Sequence, residues 1–111
     1  MDILGEKALG TFYASGVAAA SGGLTVTAAS ASGVVYIVKH VSGSGDAAAL
    51  VTIESPASTV LWRKRFTAAF NFTQDFTEPL VQGASSAAIL AKISANTTNA
   101  ELQIGGYKIN G

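Results

Sequence analysis

Val34-Val35-Tyr36-Ile37-Val38-Lys39-His40-Val41 is apolar on both faces up to Lys39. A strand covered on both sides reads this way, so the segment belongs at the centre of a sheet. From here to Ile109 short alternating apolar segments are cut by small polar turns. A chain of that kind buries its apolar faces by forming two packed layers or a small barrel.

Working outward, Ser42-Gly43-Ser44-Gly45-Asp46 reads as a hairpin loop, with glycines for positive φ. In Ala49 to Ser55, Val51 and Ile53 share one face and Thr52 and Glu54 the other. Ser55-Pro56-Ala57-Ser58 turns the chain into a strand over Thr59 to Phe66, where Val60, Trp62 and Phe66 share a parity. Phe70, Phe72 and Phe76 line one side of the next strand, with Asn71, Thr73, Asp75 and Thr77 opposite. Pro79 near its end suits an edge, where a missing donor is tolerated.

Ile89, Ala91, Ile93 and Ala95 line a further strand, and Asn96-Thr97-Thr98-Asn99 is a turn. The last strand runs Ala100 to Ile109, with Gly105-Gly106 marking a bulge or close contact. Upstream, Thr11-Phe12-Tyr13 and Leu24 to Thr27 read as short strands, with turns at Ser21-Gly22-Gly23 and Ser30 to Gly33. Residues 1–10 read as an N-terminal arm that orders against a neighbour. The expectation is an all-β chain of about eight strands, a single antiparallel β-sandwich of jelly-roll-like form over residues 1–111.

Charged residues are 13% of the chain and the formal net charge is zero. A typical soluble domain is about 25% charged, and neutral surfaces tend to associate. With 49% hydrophobic residues, disorder is not the explanation. The deficit points to an oligomer or lattice subunit. Cysteine is absent, which fits folding in a reducing cytoplasm. The start lacks a basic, then apolar, signal pattern, and Ala14 to Ala20 is too short to span a bilayer, so neither export nor a membrane is expected.

No residue pattern supports catalysis, and no cofactor or metal is expected. His40 is the sole histidine and no second ligand type accompanies it; its place beside Lys39 at a strand end suits a surface or interface role. Serines cluster in turns with no nucleophile elbow. Asp75 and Glu78 fall on opposite parities, which does not suit paired acid/base work. Asp46 is a turn residue with too few neighbouring oxygens for calcium.

Arg63-Lys64-Arg65 is the one basic cluster. Alternation splits it between faces and the chain has no basic excess, so nucleic acid is not the expected partner. Its better use is in salt bridges to Asp75, Glu78 or Glu101 of a neighbouring subunit. Trp62 with Tyr107 offers an alternative, a sugar-stacking carbohydrate module, although the shared parity of Trp62 and the phenylalanines places them in a core.

Val60-Leu61-Trp62-Arg63, Phe76-Thr77-Glu78-Pro79-Leu80-Val81-Gln82-Gly83, Ala88-Ile89-Leu90-Ala91 and Ile104-Gly105-Gly106-Tyr107-Lys108 form an ordered set. The set resembles small β-sandwich structural proteins of tailed bacteriophages. The resemblance spans residues 34–109 and implies a virion component assembled in the host cytoplasm. Within that class it implies a capsid cement (decoration) protein, a homo-oligomer and commonly a trimer, bound to the major capsid protein. A head-fibre or tail-spike module is the neighbouring alternative.

Overall fold

A computed structural model describes residues 8–18, 23–77, 81–94 and 99–110. Its strands are β1 (Ala8–Ala18), β2 (Leu24–Ala28), β3 (Val34–Gly45), β4 (Ala49–Glu54), β5 (Val60–Phe66), β6 (Phe70–Asp75), β7 (Val81–Gln82), β8 (Ile89–Ile93) and β9 (Ala100–Asn110). No helix occurs among the described residues.

Two antiparallel sheets pack as a sandwich. One is five-stranded, in the order β1-β9-β3-β6 with β7 also on β3, and the other is four-stranded, β2-β8-β4-β5. The pairings are nested: β1 with β9, β2 with β8, β3 with β6 and β7, β4 with β5. The chain is thus one long hairpin with its tip at β4–β5, rolled so that successive rungs fall in opposite sheets. The result is a jelly roll. β3 is internal, between β9 and the β6/β7 pair, as its two-sided apolar run requires.

The core lies between the layers. Val38, Val41, Val51, Ile53, Ile89, Leu102 and Ile104 are fully buried there. Each such side chain contributes about 1.5–3 kcal/mol by leaving water. Rings close both open sides. On the β5/β6 side Phe66 stacks on Phe70 at 4.1 Å, and Trp62 meets Phe76 at 5.6 Å and Phe72 at 6.4 Å. Elsewhere Phe12 of β1 meets Tyr36 of β3 edge-on at 4.9 Å, and the Tyr36 hydroxyl donates to the Ala29 carbonyl at 2.6 Å.

Several sequence expectations are corrected. Ser42 to Gly45 is not a loop: β3 runs through it, paired with β9 on one side and β6 on the other. Gly43 has no positive φ; its role is close packing, since a Cβ there would overlap the Glu101 carbonyl oxygen. His40 therefore sits within a strand, not at its end. Ala8 to Gly10 belongs to β1, which is longer than the Thr11–Tyr13 segment. Val60 does not share a face with Trp62, because a bulge at Ile53/Glu54 turns it to the parity of Glu54. The two-residue β7 raises the strand count to nine among the described residues. Pro79 and residues 1–7 lie outside them.

The Gly105-Gly106 expectation is met in divided form. The bulged residue is Lys39 on β3, between Val38 and His40. The close contact is on β9, where a Cβ at Gly106 would overlap the Ile37 carbonyl oxygen.

Candidate functional site

Strand register assigns the charged residues of β4, β5, β6 and β8, and Glu101 of β9, to a face. In β4, Ala49, Val51 and Ile53 point into the core, so Leu50, Thr52 and Glu54 point outward. Arg65 lies opposite Leu50 and Arg63 opposite Thr52, which puts both arginines on the outer face of the four-stranded sheet. Lys64 lies opposite Val51 on the inward side of the edge, its ammonium 5.6 Å from the centroid of the Phe66 ring. The basic cluster is thus split by alternation.

Lys92 joins the two arginines on that outer face. It stands opposite Thr25 on β2 and Thr52 on β4, in one cross-strand row with Arg63. Glu54 accompanies them but is withdrawn from solvent, at 6% exposure. It accepts from the Ser58 backbone N–H at 2.7 Å, pairs with Lys92 Nζ at 3.0 Å and accepts from Thr52 Oγ1 at 3.2 Å. The Ser58 N–H, opposed by burial and assisted by Lys92, holds its carboxyl below the ordinary carboxylate range. A shallow groove of about 430 Å³ runs over this face, between Leu50, Val60, Glu54 and Lys92. Arginine beside aliphatic side chains is a composition found at protein interfaces.

The opposite outer face carries two carboxylates, with the exposed Lys39 at the β3 bulge as their cationic neighbour. Asp75 stands across from His40 on β3, and Glu101 across from Ser44 and Val17. Leu102 and Val41 are core, so Glu101 and His40 face outward. Between them lie Ser42, Gln103, Thr73 and Asn71, with Ser42 Oγ 3.3 Å from Gln103 Oε1. The His40 ring lies against Gly105, where a Cβ would stand 2.5 Å from Cε1. Glu78 lies outside the described residues.

Of the residues expected to form an interface, Arg63 and Arg65 come together on one face, and Asp75 and Glu101 share the other. Lys64 joins neither. Trp62 points inward against Phe72 and Phe76, whereas Tyr107 lies on the outer face beside Ile37. The two rings occupy different layers and form no common stacking surface. Asp46 does more than turn the chain. Its carboxylate accepts from the Asn99 backbone N–H at 3.1 Å, tying the β3–β4 connection to the start of β9. Among the described residues no three His, Asp or Glu side chains gather as a metal site.

Sequence reasoning missed Lys92 and the burial of Glu54. Strict alternation marked Glu54 as outward, which it is; the Ser55–Thr59 turn that supplies its Ser58 donor is not encoded in the strand pattern. No protein-family model, curated protein or solved structure matches the chain.

Proposed function

We propose that this chain is a structural subunit of a virion shell, a capsid cement (decoration) protein that associates with its own copies and with the capsid surface. The observation that carries the assembly half is the separation of charge: Arg63, Arg65 and Lys92 on one outer face, Asp75 and Glu101 on the other. Opposite signs on opposite faces favour contact between unlike faces of different copies. Such a contact is heterologous: it closes into a ring, of three copies at the least, where successive copies are rotated, and runs on as an open stack where they are not. The capsid half rests on the ordered sequence set at 60–63, 76–83, 88–91 and 104–108. The jelly roll serves capsid and lectin domains alike, so fold by itself selects neither.

Reversal of charge tests the reading. Arg63→Glu/Arg65→Glu replaces two exposed residues and leaves the core and the Glu54 network in place. The expected result is an unchanged far-ultraviolet circular dichroism spectrum and a lower assembled mass by light scattering at micromolar concentration. A mass unmoved by the reversal, or an unmodified chain that stays monomeric and binds no capsids, overturns the proposal.

A further inference from the structure

The edge strands of the sandwich are not defended alike. β5 carries Arg63, Lys64 and Arg65 in succession, β6 ends on Asp75, and β2 has only five residues. Charge and shortness are how natural sheets keep an edge from adding another strand. β1 has neither: its eleven residues, ALGTFYASGVA, include no charge and no proline. Among the described residues no strand pairs with its far side. Its outer-face side chains Thr11, Tyr13, Ser15 and Val17 are exposed, Tyr13 at 62% and Val17 at 73%. Unpaired backbone donors and acceptors along such an edge are a template for an extended partner.

We infer that β1 pairs antiparallel with β1 of a second copy, so that the five-stranded sheets of two molecules continue as one. The occupant must be extended, uncharged, free of proline and long enough to cover the edge. Among the described edge strands β1 alone meets all four conditions. Two-fold pairing sets Thr11, Tyr13 and Ser15 among their own counterparts with no like charges opposed. Past the irregularity at Ala8/Gly10 the regular stretch from Gly10 to Ala18 gives a seam of about 30 Å. The contact is isologous and uses backbone atoms at the edge, whereas the charged outer faces stay free. It rests on the assembly reading above and uses different atoms, so the two fail separately.

The test is run in the Arg63→Glu/Arg65→Glu background, where the face contact is weakened. Light scattering should then find a dimer. Two further pairs are added to that background: Tyr13→Lys/Ser15→Lys and Tyr13→Glu/Ser15→Glu. These positions are exposed and oppose Gly105 and Gln103 on β9, both neutral, so the fold is left intact. Each variant alone should show half the dimer mass, because like charges face each other across the two-fold axis. An equimolar mixture should recover the dimer, because Lys now faces Glu. A monomer before β1 is touched, a dimer that neither substitution disturbs, or a mixture that stays monomeric overturns the inference. A mass that responds to β1 variants but not to the arginine reversal sinks the face reading and spares this one. If a β1 variant fails to fold, amide exchange of the unmodified chain decides. Protection over Thr11–Val17 must rise with concentration, and protection independent of concentration overturns the pairing.

Discussion

Glu54 is where a single side chain couples two connections of the fold. It receives the Ser58 N–H from the β4–β5 turn and the Lys92 ammonium from β8 while almost wholly covered. A carboxyl held below the ordinary value of 4.5 contributes stability that is present above that pH and is lost as pH falls through the lowered folded value. Glu54→Gln keeps the shape and removes the charge. Lys92 keeps 34% of its side chain in solvent, so it is not stranded by the change. The expected loss at pH 7 is about 1.5–3 kcal/mol, the range for a hydrogen bond to a charged group. Urea unfolding should show the gap between the two proteins closing as pH is taken below 4.5. A gap that stays constant with pH would show that the charge contributes nothing. Glycine choice at this scale is equally specific. At Gly106 the obstacle to a side chain is backbone, the Ile37 carbonyl, whereas at Gly105 it is the ring of His40, which can rotate away.

At the scale of elements, the β5/β6 seam is where the two layers are held together by rings. Phe72 is 7% exposed and lies near three other rings, those of Trp62, Phe66 and Phe70. Phe72→Ala should cost about 3–5 kcal/mol in chemical denaturation. The Trp62 emission should shift red in the native state, since its stacking partner is gone. A change near zero would place the strand's aromatic side outside the core. This seam was legible in the sequence because period-two alternation is a local property: Phe70, Phe72 and Phe76 against Asn71, Thr73 and Asp75 can only be a half-covered strand. β3 was legible in position but not in length. Ser42-Gly43-Ser44-Gly45 has the composition of a turn, yet it continues as strand, because β9 and β6 pair with it on either side and Gly43 admits the backbone of Glu101 on β9. Val60 was misplaced for a related reason. A bulge changes parity without changing composition, so a count by twos carries an error past it. Lys92 could not be joined to Arg63 from the sequence, since their shared row depends on the order β8-β4-β5.

For the whole molecule, the two proposed contacts obey different physics, and salt separates them. The face contact joins solvent-exposed charges on the β5 and β8 side of one copy to those near β6 and β9 of another. Screening shortens the reach of such charges from about 10 Å at 0.1 M salt to about 3 Å at 1 M. The β1 seam consists of backbone hydrogen bonds and neutral side chains, which salt does not screen. A chain with 13% charged residues has few other ionic contacts to confuse the result. Raising sodium chloride from about 0.1 to about 1 M should therefore reduce the assembled mass of the unmodified protein and stop at the dimer. The Arg63→Glu/Arg65→Glu protein should already be at that dimer and should not respond. A mass that falls through the dimer to the monomer would mean that charge holds both contacts. A mass indifferent to salt would mean that neither outer face is used, and the separation of Arg63 and Arg65 from Asp75 and Glu101 would then be a matter of solubility alone.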